Sequence, residues 1–82
     1  MVWLEKIEIT NEYVKYYYYV ERNTKKGVLT LFPKTKICRV EEFCEGDGED
    51  SCYESNRGHA FCQMMRYVKN DNYPDEDFMA WY

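Results

Sequence analysis

Eighty-two residues with a formal net charge of -4 suffice for one domain and not for two, and a chain this short hides only roughly 60 to 65% of its unfolded surface from water. Stability must therefore come from large side chains, which nine Tyr, four Phe, two Trp and four Met supply. No apolar run is long enough for a membrane helix, and the opening MVWLEKIEIT sets acids where a secretion signal has a smooth hydrophobic stretch, so a cytoplasmic chain is the expectation.

Trp3, Leu4, Ile7 and Ile9 suggest a first strand with imperfect alternation, and Asn11 and Glu12 a turn after it. Tyr13 to Glu21 reads as a second strand, because Val, Tyr and Lys without Gly or Pro fit a pleated surface. Period two divides it into Val14, Tyr16, Tyr18 and Val20, assigned to the core, and Tyr13, Lys15, Tyr17, Tyr19 and Glu21, assigned to an exposed or half-exposed face. On that face the stems of Lys15 and Glu21 are expected to lie against Tyr17 and Tyr19.

Arg22 to Gly27 is polar and ends in a glycine suited to a positive-φ hairpin position, after which Val28 to Phe32 returns as the partner strand. Pro33 and Lys34 break that strand, and Lys36 to Cys44 then suits either a helical face of Ile37, Val40, Glu41 and Cys44 or, as favoured here, a short strand from Lys36 to Val40. Glu45 to Ser51, EGDGEDS, has too little apolar surface to bury and reads as a loop. Ser51 and Glu54 have the form of a capping box, with a start near Ser55 or Asn56 competing. His59 to Asn70 is the main helix, its apolar face built from Ala60, Phe61, Met64, Met65 and Val68, with His59, Gln63 and Arg66 opposite. Asp71 and Asn72 end it, and Pro74 is placed to open a short C-terminal helix carrying Phe78, Trp81 and Tyr82. The fold class expected is α+β: an antiparallel sheet of three or four strands packed on one main helix, with a short C-terminal helix, in a single domain.

Charge is divided unevenly along the chain. Residues 1 to 40 hold eight Lys or Arg and four Glu, whereas residues 41 to 82 hold three Lys or Arg and eleven Asp or Glu. Glu41 to Glu54 alone has seven acids and no Lys or Arg. Such a field attracts a basic partner and repels nucleic acid. Glu41, Glu42, Glu45, Asp47, Glu49 and Asp50 are therefore the expected partner-binding surface, able to occupy a groove that otherwise takes nucleic acid.

The competing surface is aromatic and basic: Lys15, Tyr17, Tyr19, Arg22, Lys25 and Lys26, where rings could stack on bases and cations meet phosphates. The acidic half opposes that use with like charge, so direct nucleic-acid binding ranks below a protein partner. Cys38, Cys44, Cys52 and Cys62, with His59, are the zinc-ligand candidates, but gaps of five, seven and nine residues between the cysteines lack the close pairs that fix half a zinc tetrahedron. Reduced, partly buried thiols are the expected state, in preference to a disulfide such as one joining Cys44 to Cys52. An EF-hand fails on Cys52 and Gly58, which stand at the sixth and last positions counted from Asp47. His59 and Cys62 lie three apart without an orienting group, so no catalytic site is expected.

These observations set three expectations in order. The first is a non-catalytic inhibitor or adaptor that binds a protein having a basic groove or patch, with no cofactor and no membrane. The second is a nucleic-acid module using the Tyr/Lys face, and the third a metal-stabilised structural domain. A homodimer through an exposed strand edge is compatible with each.

Overall fold

A computed structural model of the chain describes residues 2–20, 24–44 and 56–80. In chain order the elements are β1 (Val2–Ile9), β2 (Val14–Tyr19), β3 (Gly27–Phe32), β4 (Ile37–Glu42), α1 (Asn56–Asn70) and β5 (Glu76–Met79). The strands form one sheet of order β4-β3-β2-β1-β5 in which every neighbouring pair is antiparallel. The first four make a meander, and β5 then lies beside β1 at the far edge. The class is α+β as expected, with five strands where three or four were expected.

Alternation explains which sheet face meets α1. Val2 and Leu4 of β1, Val14, Tyr16 and Tyr18 of β2, and Leu29 and Leu31 of β3 are buried in one cluster with Ala60, Met64 and Tyr67 of α1. Each large side chain removed from water this way contributes about 1.5–3 kcal/mol. The uneven pattern in β1 has a local cause: the β1/β2 register shifts between Lys6 and Glu8, so Ile7 is the extra residue of a bulge and Ile9 pairs with Val14. The following turn is closed by Thr10, whose Oγ1 accepts from the amides of Glu12 and Tyr13 at 3.1 and 3.0 Å.

Three expectations are corrected here. Gly27 is the first residue of β3, paired with Tyr18, and it is required by close approach rather than by a positive φ. A Cβ there would stand 2.1 Å from the Tyr18 ring and 2.6 Å from the Cys44 amide nitrogen. The buried stripe of α1 is Ala60, Met64 and Tyr67, with Phe61 and Val68 at its margin, and Met65 is exposed. The stripe is turned toward Tyr67 because the Tyr67 hydroxyl has a partner in Asp77 of β5.

Pro74, finally, opens no helix. The chain from Glu76 pairs with β1, and the Lys6 amide donating to the Asp75 carbonyl at 2.8 Å extends that pairing. A strand satisfies the outer edge of β1, which a helix would leave unpaired. It also sends Asp77 to α1 and Phe78 to the opposite face. Trp81 and Tyr82, assigned to the same helix, lie outside the described residues, as do the acidic loop and the Ser51/Glu54 capping box.

α1 begins at Asn56, near the competing start, and ends in a Schellman-type cap: the Asn72 amide donates to the Tyr67 carbonyl at 3.1 Å and the Asp71 amide to the Val68 carbonyl at 3.2 Å. Asp71 holds the left-handed conformation, φ 51, that this cap needs. No helix among the described residues is long and apolar enough to cross a membrane.

Candidate functional site

The sheet face turned away from α1 is where the structure gathers the aromatic candidates. Trp3 of β1 lies directly between Tyr19 of β2 and Phe78 of β5 in register. Its ring is stacked on Tyr19 at 6.5 Å and 13°, and tilted against Phe78 at 4.4 Å and 50°. This three-strand aromatic row covers Tyr19, which is only 5% exposed although its strand position assigned it to the open face. Tyr17 is 37% and Phe78 41% exposed. Of the two outer tyrosines, one is therefore packed by its own chain and one is presented.

Lysine placement also differs from expectation. Lys26, entering β3, sets its ammonium 5.1 Å from the Tyr19 ring centroid and 5.4 Å from that of Tyr17. It also pairs with Glu5, at 3.1 and 3.3 Å from the two carboxylate oxygens, and Tyr19 donates its hydroxyl to Glu5 at 2.6 Å. Lys15 lies instead over Tyr13, at 5.3 Å, and Tyr13 donates to Glu8 at 2.7 Å. That hydrogen bond to a carboxylate is the main reason the Tyr13 phenol is held above its ordinary value. Glu21 and Arg22 lie outside the described residues.

Trp3, Glu5, Tyr19, Lys26 and Glu76 line a recess of about 260 Å³ on this face. Glu5 and Glu76 are direct cross-strand partners, so two carboxylates share one end of the recess. Sequence reasoning missed Trp3, Glu5, Glu76 and Phe78 as site residues. Only the Trp3/Glu5 alternation against Val2/Leu4 signalled two of them, and the β1/β5 pairing that brings in the others joins residues more than seventy positions apart.

The acidic candidates divide at residue 44. Glu41 and Glu42, in the exposed edge strand β4, already have partners: Glu41 meets Arg39 at 3.6 Å and accepts from Thr30 at 3.3 Å, and Glu42 meets Lys25 at 3.4 Å. Glu45, Asp47, Glu49 and Asp50 lie outside the described residues. The residues flanking that stretch are fixed: the buried Cys44 donates its amide to the Tyr18 hydroxyl at 3.2 Å, and α1 starts at Asn56.

Cys38, Cys44 and Cys62 carry free thiols, and Cys52 lies outside the described residues. Among the described residues, no three Cys, His, Asp or Glu side chains come together to hold a metal. Partial burial, with the neighbouring Cys62 thiol adding to it, pushes the Cys38 thiol up, which disfavours the thiolate that metal binding or nucleophilic attack requires.

The candidate site is thus an aromatic, charge-balanced sheet face with two carboxylates in a recess at its β1/β5 end, and the strongly acidic stretch of sequence lies between β4 and α1. Compared with family models, with curated proteins and with solved structures, the chain matches none.

Proposed function

We propose that the chain is a non-catalytic protein-interaction domain that engages a basic partner through its acidic segment, an inhibitor or adaptor in biochemical role. The observation that supports this reading is where the charge lies. The described residues carry ten Lys or Arg and nine Asp or Glu, so the folded body is close to neutral. The net charge of -4 originates in the sequence between Glu45 and Glu54, which holds acids and no Lys or Arg. Exposed pairs within the body are each worth only about 0–1 kcal/mol, but together they cancel its field and leave the acidic segment as the dominant attractor for a basic surface.

The same balance weighs against a nucleic-acid platform. Lys25, Lys26 and Arg39 each face a carboxylate at 3.1 to 3.6 Å, so phosphates would have to compete for cations already engaged. The exposure of Tyr17 and Phe78 keeps that second reading in view, because both present a π-face on which a base can stack.

The test is an affinity pull-down with native protein and with a variant in which Glu45, Asp47, Glu49 and Asp50 are all replaced by Lys. Capture of basic proteins by the native chain, released by salt and lost in the variant, is the expected result. Retention of the same proteins by the variant overturns the reading. Titration of a labelled single strand at low salt runs beside it, and tight binding that weakens steeply with added salt would transfer the assignment to the nucleic-acid reading.

A further inference from the structure

The sheet ends in two unlike edges. β5 has four residues, EDFM, which follow Pro74 closely and carry two acids and no base, so its outer side repels a copy of itself. β4 is the other edge: six residues, ICRVEE, with no strand on its outer side among the described residues. All six are exposed except the half-buried Val40, and Ile37, at 55%, is the most exposed large apolar side chain among the described residues. An edge of this length that presents its backbone and an isoleucine is a template for another strand. Its charges are of both signs, one on each side of Val40. Arg39 and Glu41 share the open sheet face, where they meet at 3.6 Å and Glu41 accepts from Thr30. Read in either direction about Val40, the edge therefore complements itself.

We propose that the outer edge of β4 pairs antiparallel with β4 of a second copy of this chain, about a two-fold axis at Val40. The pairing goes beyond the basic-partner reading and does not depend on it. In this register Arg39 stands opposite Glu41 of the other copy and Glu41 opposite its Arg39, so symmetry supplies the same cross-strand ion pair twice. Ile37 comes level with Phe43 of the other copy at each end. The neighbouring registers are worse. Such an axis runs normal to the sheet, so residues that face each other share a sheet face and the axis passes through a residue, not between two. An axis at Arg39 sets Arg39 against Arg39, and one at Glu41 sets Glu41 against Glu41. An axis at Cys38 runs Glu41 and Glu42 past the start of the other strand. The β3/β4 register shift between Val28 and Leu29 falls at Glu41 and bends that end of β4, so the dimer is weak and concentration-dependent.

Sedimentation equilibrium of the full chain, kept reduced so that exposed thiols do not cross-link, tests this. The mass should rise with concentration from 10.0 kDa toward twice that value. Arg39→Glu should raise the dimer Kd roughly two- to thirty-fold, the range of two cross-strand charge pairs, and Glu41→Arg should act in the same direction. The double variant Arg39→Glu/Glu41→Arg, which exchanges the charges, should restore the parent Kd. Urea midpoints of the three variants establish that each is folded. A pair acting only within one chain would leave the mass of every variant unchanged. A mass constant at 10.0 kDa up to about 1 mM chain overturns the proposal. So does a dimer whose Kd is the same in Arg39→Glu, or one that the double variant fails to restore. None of these results bears on the acidic segment, whose pull-down is read separately.

Discussion

The Tyr67 hydroxyl donates to the Asp77 carboxylate, and the same oxygen accepts from Gln63 Nε2 at 3.0 Å. Two residues of α1 are thereby tied to β5, the shortest strand and an edge of the sheet. Tyr67 also lies against the buried Tyr16, ring centroids 5.3 Å apart, and Tyr16 donates to the Pro74 carbonyl at 2.7 Å. Burial of Tyr67 beside a single carboxylate makes this bond worth more than a neutral one. Tyr67→Phe should lower the unfolding free energy by about 1.5–3 kcal/mol, and Asp77→Ala by at least as much because it strands two donors. Urea unfolding measures both, and a loss under about half a kilocalorie for either variant would show that β5 is anchored otherwise.

Both buried tyrosines also set an alkaline limit. Burial first, and then the Asp77 carboxylate, raise the Tyr67 phenol far above its ordinary 10.0. Burial likewise raises Tyr16, with Asp75 and Asp77 adding to it. Below pH 10.0 both the folded and unfolded forms are protonated and the contribution is intact. Above it the unfolded chain ionises while folded Tyr16 and Tyr67 keep their protons, so stability falls as pH rises, by up to about 1.4 kcal/mol per pH unit for each group. Urea midpoints from about pH 8 to 11 should be flat and then decline, with a shallower decline in Tyr67→Phe. An equally steep decline in that variant would exclude Tyr67 as a source.

Gly27 marks where β3 must approach the end of β4. A side chain at this position meets the Tyr18 ring and two backbone groups, the Cys44 nitrogen at 2.6 Å and the Glu42 oxygen at 2.7 Å. Backbone cannot move aside as the end of a flexible side chain can. Gly27→Ala should therefore cost about 1–3 kcal/mol, as overpacking of a tight site does. It should also loosen the Tyr18 to Cys44 hydrogen bond, read as faster exchange of the Cys44 amide.

The same pair of residues shows what was legible in the sequence. Alternation assigns Val14, Tyr16, Tyr18 and Val20 to the core, and the first three are buried because one strand's period fixes its own faces, whereas Val20 lies past the end of β2 and is only half-buried. It could not show that Trp3 would cover Tyr19, since that depends on the partner strand and its register. Gly27 was recognisable as a required glycine, but its reason lies in Cys44, seventeen positions on. Pro74 and the acids after it carry a valid helix-start signal, and four residues of strand outweigh it through the edge of β1. The recess was hidden for the same reason: Glu5 and Glu76 become neighbours only when β5 docks.

Helix orientation gives a comparison between adjacent residues. Met64 is fully buried and Met65 is 39% exposed. Met64→Ala should cost about 2–5 kcal/mol, whereas Met65→Ala should stay within about 1 kcal/mol of the parent. Phe61, at the margin of the core, should fall between them. Similar losses at positions 64 and 65, measured by chemical unfolding, would mean that α1 packs with a different rotation.

The last turn of α1 offers a substitution that should stabilise the fold. Asp71 occupies the left-handed cap position at φ 51, where a Cβ is strained and glycine is not. Its carboxylate also sits at the negative end of the helix, where Lys69 is favourable and an acid is not. Glycine at this position would relieve both effects, although its freedom in the unfolded chain offsets part of the gain. Asp71→Gly should therefore raise stability by about 0.5–1 kcal/mol, a few degrees in Tm for a domain of this size. A lower Tm in this variant would mean that the Asp71 side chain makes a contact stronger than the strain it imposes.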